Sequence, residues 1–268
     1  MTGRAAAAGG ALLAAGAVVV GAVLHHSSGS PKADTPEASF SAQAKQLPPP
    51  EKPAFRVGHP TLLSPHETRA RYAPVERSVV ARSAPTPAAR PVETLALSTP
   101  ESTTNIVLVL GERKQPDGLW EHVRLATLPN GLTGWVPRSA LGGYHFVHTR
   151  LVVDRGRLTA TLFRDGRRIF AAPIGVGRPQ WPTPSGQFYI RDRLSGFGDP
   201  FYGPVAFGTS ARSAVLTDWP EGGFVGIHGT NEPQLIPGRI SHGCIRLRNS
   251  DILRLSRLMP VGTPVTIR

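Results

Sequence analysis

Proline and glycine break this chain too often for long helices. They number 27 and 29 among 268 residues. Proline removes a backbone donor, and glycine carries the largest ordering cost inside a regular element. A chain punctuated this way folds into short strands and turns, with linkers where the prolines crowd. At this length, with 40% apolar residues, it can bury one large core or two modest ones.

The punctuation is uneven, and that divides the chain. Ala5 to Leu24 carries no charge and follows a single Arg4. Twenty helical residues at ~1.5 Å each reach ~30 Å, the thickness of a bilayer core. Residues 1–24 are therefore expected to be a signal anchor or signal peptide. Residues 25–80 hold Pro31, Pro36, Pro48, Pro49, Pro50, Pro53, Pro60 and Pro65 among Ser, Ala, Lys and Glu. That composition buries too little apolar surface to offset ordering entropy, so a Pro-rich disordered linker is expected.

Residues 81–143 change character. Ile106 to Leu110 is an apolar run of strand type, Leu119 to Leu125 partly alternates, and Pro129-Asn130-Gly131 is a turn. With Thr133-Gly134-Trp135-Val136 after it, this stretch resembles a bacterial SH3-like barrel. Residues 145–268 read as a mostly β domain. Phe146 to Val153 is a strand, and Leu158 to Phe163 and Arg168 to Ile174 form a hairpin about Asp165-Gly166. Phe188 to Ile190, Phe224 to Ile227 and Pro264 to Ile267 are further strands. Ser250 is expected to cap one helix, Asp251 to about Leu258, with Ile252, Leu255, Leu258 and Met259 on its buried face.

The only cysteine, Cys244, follows Ser241-His242-Gly243, and Ile227-His228-Gly229-Thr230-Asn231 lies upstream. One cysteine excludes an intramolecular disulfide and a multi-cysteine zinc framework. A thiol attacks only as thiolate, and a neighbouring imidazole can take its proton. His242 would share a face with Cys244 in an extended backbone, whereas His228 must be brought in by its strand. A glycine before the nucleophile lets backbone N–H groups, those of Gly243 and Cys244, hold an oxyanion. Together these residues specify acyl transfer. Two other readings stand beside it: a small core cysteine and a three-ligand zinc site.

The His228-Gly-Thr-Asn and Ser241-His-Gly-Cys-Ile-Arg strings, in that order, resemble the L,D-transpeptidase catalytic domain, also called the YkuD domain. Pro182-Thr183-Pro184-Ser185-Gly186-Gln187-Phe188 matches it too, and the likeness covers residues 146–268. The NlpC/P60 peptidases have the opposite order, cysteine first. The resemblance implies a β-sandwich with a helix beside the catalytic cysteine, and an enzyme forming 3→3 peptidoglycan cross-links through a cysteine thioester. It implies Cys244 as nucleophile and His228 as proton acceptor and donor. Ser241, His242, Gly243 and Gly229 would serve the oxyanion hole or support. Arg246, Thr230 and Asn231 would bind substrate. No metal or cofactor is implied; peptidoglycan stem peptides are the partners and carbapenem β-lactams the covalent inhibitors. Some members carry Ser where this chain has Gly229, so the third member of the triad would be a backbone carbonyl or be missing. Some carry Asn where this chain has Arg246. Water as acceptor would make the enzyme an L,D-carboxypeptidase, and a decayed scaffold would be a non-catalytic wall-binding protein.

The net charge of +12 comes mostly from scattered arginines. No basic run or nucleic-acid module is present, so the charge suits an anionic wall or membrane surface, and no nucleic-acid partner is expected. The location expected is extracytoplasmic.

Overall fold

A computed structural model describes residues 69–195, 199–216 and 223–268. The expected signal segment, and all of the linker before residue 69, lie outside these. No helix among the described residues is long and apolar enough to cross a membrane.

The first sheet has seven strands: β1 (Ala70–Pro74), β2 (Val79–Arg82), β3 (Pro91–Leu95), β4 (Ile106–Gln115), β5 (Gly118–Arg124), β6 (Thr133–Pro137) and β7 (His145–Val147). Their order is β3-β2-β6-β5-β4-β1-β7, and every neighbouring pair is antiparallel. Val107, Val109, Val123 and Val136 alternate inward and form its core with Ala73, Ala81 and Leu141. The sheet begins at Ala70, inside the stretch expected to be linker. Arg71 to Pro74 pair with β4 from Val109 to Ile106, so hydrogen bonding orders a segment whose composition alone looked unable to fold.

The second sheet has ten strands: β8 (Thr149–Asp154), β9 (Thr159–Arg164), β10 (Arg167–Pro173), β11 (Gly175–Gly177), β12 (Gly186–Ser195), β13 (Val205–Arg212), β14 (Phe224–His228), β15 (Gly238–Ser241), β16 (Ile245–Arg246) and β17 (Pro264–Ile267). Their order is β10-β9-β8-β17-β12-β13-β14-β16-β11-β15. β12 joins the halves: its first four residues pair with β17 and five of its last six with β13. The molecule is thus mainly β, as expected. Asp165 and Gly166 both have positive φ, 49° and 78°, the backbone of the two-residue turn expected between β9 and β10.

Residues from both halves, among them Leu151, Phe170, Phe188, Phe207, Ile227 and Ile245, make one core. The helix α1 (Asn249–Ser256) covers it with Ile252 and Leu255. Its N-cap is Arg248, without a side-chain cap bond, and not Ser250. Asn249 turns its side-chain carbonyl outward to the N–H of Thr230, which starts the helix before Ser250 can cap it. The two sheets meet where Tyr189 packs with Ile106 and Leu108, its hydroxyl donating to the Ile106 carbonyl at 3.0 Å.

Candidate active site

β14 alternates, with Val225 and Ile227 buried in the core. β16 lies parallel beside it, Ile227 opposite Ile245 and His228 opposite Arg246. That register carries Cys244, the residue before β16, alongside Gly226. The Gly226 N–H donates to Cys244 Sγ at 3.3 Å, a contact that favours the thiolate. A Cβ on Gly226 would sit 3.7 Å from Sγ and 3.7 Å from His228 Cδ2. Thiol and imidazole therefore flank one bare α-carbon and line the same cleft. Gly226 lies outside both motifs; a glycine inside a strand is the signal that marks it.

His228 is 1% exposed, and its Nδ1 lies 2.7 Å from the Gly229 carbonyl oxygen. A carbonyl only accepts, so Nδ1 carries the proton and Nε2 keeps a lone pair. Burial holds the imidazole pKa down at about 4; the Gly229 bond pulls it upward, and the charge of Arg246 pushes it further down. The ring is thus neutral at pH 7, the form that can accept a proton. Tyr202 stands edge-on to it at 5.1 Å between ring centroids. Gly229 is required by crowding as well: a side chain there would run into Asn249 Oδ1 and the backbone of Gly203.

Two hydroxyls hold the cysteine turn. Ser241 Oγ accepts from the Gly243 N–H at 3.1 Å and donates to the Cys244 carbonyl at 2.5 Å. Thr183 Oγ1 accepts from the Gly177 N–H at 2.8 Å and donates to the Gly243 carbonyl at 2.7 Å. Both residues are 1% exposed. Gly243 has φ +121°, which only glycine adopts without strain.

This turn corrects one expectation. The Gly243 N–H is taken up by Ser241, so it does not aim at an oxyanion. The His242 ring packs on Trp181, centroids 4.4 Å apart. His242 still lines the cleft, with Cys244, His228, Arg246, Tyr202 and Phe224.

Arg246 is 3% exposed. Its Nη1 donates to Glu232 Oε2 at 3.2 Å, its guanidinium lies 4.2 Å from the Phe201 ring centroid, and its Nε has no hydrogen-bond partner among the described residues. Thr230 and Asn231 do not line the cleft. Thr230 is buried, its N–H donating to Asn249 and its hydroxyl accepting from the Glu232 N–H; it shapes the loop after His228 instead of facing a ligand. Asn231 is exposed. Among the described residues no group of three His, Cys, Asp or Glu side chains is gathered that could hold a metal ion, so the zinc reading has no site there.

A thiol, a neutral imidazole with its lone pair on Nε2 and a backbone N–H on the sulfur are groups that can support attack of sulfur on an acyl carbon. Residues 148–267 match YkuD, the L,D-transpeptidase catalytic domain. The chain is 38% identical over 117 residues to YkuD of Bacillus subtilis (strain 168), covering 44% of this chain and 64% of that one. It is 30% identical over 139 residues to YbiS of Escherichia coli (strain K12), covering 44% of each; both carry L,D-transpeptidase names. The chain therefore spans less than two thirds of the length of these curated relatives. A solved catalytic domain of the E. faecium L,D-transpeptidase is 28% identical, with a TM-score of 0.35, over 45% of this chain and 96% of that one.

Proposed function

We propose that this chain is an L,D-transpeptidase that cross-links peptidoglycan stem peptides outside the cytoplasmic membrane. The observation that carries the reading is that Cys244 and His228 flank Gly226 in one cleft, with the imidazole fixed in the Nδ1–H form by Gly229.

In this reading His228 Nε2 takes the Cys244 proton as sulfur bonds to the carbonyl carbon of the third stem residue, a diaminoacid. The Cys244 N–H is the donor proposed for the oxyanion. The carbon–nitrogen bond to the terminal residue then breaks, and that amine leaves with the proton from Nε2. The side-chain amine of a second stem attacks the thioester, gives its proton to Nε2, and releases the thiolate as the 3→3 amide forms. Arg246 lies on the cleft wall where a guanidinium can hold a stem carboxylate. Carbapenems would acylate the same sulfur through their strained carbonyl. The segment Ala5 to Leu24 would tether the chain or direct its export, residues 25–68 would give it reach, and the first sheet would be an SH3-like module.

The test is product analysis of the full chain with tetrapeptide stems. A 3→3 dimer from the wild type and none from Cys244→Ala is the expected result. Tripeptide alone would make the enzyme a carboxypeptidase; dimer from Cys244→Ala would sink the mechanism.

A further inference from the structure

The first sheet reaches the catalytic cleft through two of its turns, at a place the chemistry above does not use. Asn130, in the turn before β6, makes two hydrogen bonds to the backbone of Arg212: its Nδ2 donates to the Arg212 carbonyl at 2.7 Å, and its Oδ1 accepts the Arg212 N–H at 2.9 Å. A side-chain amide used this way extends the strand ladder at the end of β13. Arg212 is paired with Phe224 on β14. The next residue, Ser213, donates its N–H to the Gly223 carbonyl, and its hydroxyl accepts from the N–H groups of Val215 and Leu216. Ser213, Leu216 and Phe224 all line the cleft.

The second grip is ionic. Glu101, between β3 and β4, pairs with Arg191 at 2.6 Å, the side chains 9% and 2% exposed. The Arg191 guanidinium lies 3.8 Å from the centroid of the Phe224 ring, and that of Arg212 lies 4.7 Å from it. Two cations against one ring, one ion-paired to the first sheet and the other held to it through its backbone, fix where that ring stands. A pair buried this deeply is costly to desolvate, so its worth here is in placing Phe224.

We infer that Asn130 and Glu101 are positioning residues: the first sheet sets the cleft wall formed by Ser213 and Phe224, and through it the fit of the stem peptide. The inference rests on the proposed function for its substrate. It makes the first sheet part of the binding machinery, beyond any spacing role.

The test uses the full chain and Asn130→Ala, with three readings. KM for the tetrapeptide donor should rise about fivefold or more while kcat stays within about twofold. Alkylation of Cys244 by iodoacetamide, which needs no wall, should stay within about twofold. Amide hydrogen exchange in Ser213–Leu216 should quicken. Unchanged KM with unchanged exchange overturns the inference, as does a joint fall of kcat and alkylation at constant KM. If the wild type turns over no stem peptide, the proposed function fails, and exchange alone decides the positioning role: faster exchange supports it, equal exchange overturns it. Should Asn130→Ala fail to fold, Glu101→Gln, which keeps the volume and removes the charge, is read in the same way.

Discussion

The two sheets are built from different pairings, and the chemistry sits on only one kind. Every pair in the first sheet is antiparallel, with hairpins such as β4–β5 and β5–β6 supplying much of it. The second holds three parallel pairs, β8–β17, β11–β15 and β14–β16. A hairpin joins neighbours in sequence, whereas a parallel pair needs a crossover and so lays remote segments side by side. The β14–β16 pair brings Cys244 to Gly226, within reach of a histidine sixteen residues earlier. A chain limited to hairpins would have offered Cys244 only the near His242.

The contrast can be broken most sharply at the sulfur. On the proposed function, Cys244→Ala should lower cross-linking by about a thousandfold or more while leaving the urea midpoint nearly unmoved. A large loss of stability would instead mark a core cysteine.

The buried imidazole is next. Its folded pKa of about 4 lies below the ordinary 6.5. Between those values the unfolded chain binds a proton that the folded one refuses, so stability falls as pH drops through that window. By linkage the loss is of order 3 kcal/mol, fully present only at the acid end. Urea melts at pH 7 and pH 4.5 should show a steeper decline for the wild type than for His228→Gln. Equal declines would mean that His228 is protonated in the folded chain.

A smaller effect is expected at the crowded glycine. Gly229→Ala pushes a methyl into Asn249 Oδ1 and Gly203, at a cost of about 2 kcal/mol, and activity should fall with it as the Gly229 carbonyl shifts from His228 Nδ1. A melt unchanged by the substitution would show room there for the serine that some relatives carry. The smallest change is away from the cleft. Tyr189→Phe removes the bond to the Ile106 carbonyl and should cost about 1 kcal/mol, with kcat and KM unchanged. A shift in KM would extend the reach of the first sheet beyond Asn130 and Glu101.

What could be read from the chain follows the same division. The β9–β10 hairpin was legible because Asp165-Gly166 states its turn locally, and Pro264–Ile267 stands as a strand within the expected bounds. That His228 and Cys244 share one site was legible as a motif. The parallel register was not, because nothing in the local pattern of Ile245-Arg246 says which strand it joins. For that reason Gly226 went unnoticed, Thr183 was quoted only as part of a matching segment, and Gly243 was given an N–H role that Ser241 takes. Residues 69–80 looked like linker because their order comes from β4, far along the chain. Asn249 was overlooked since its partner, the Thr230 N–H, lies across a loop.

The most direct measurement is intact-protein mass spectrometry of the full chain, acid-quenched soon after mixing with a tetrapeptide stem. A mass gain equal to the stem less its released terminal amino acid is predicted, located on Cys244 and absent from Cys244→Ala. No gain in the wild type, or a gain that persists in Cys244→Ala, would contradict the thioester on which the account stands.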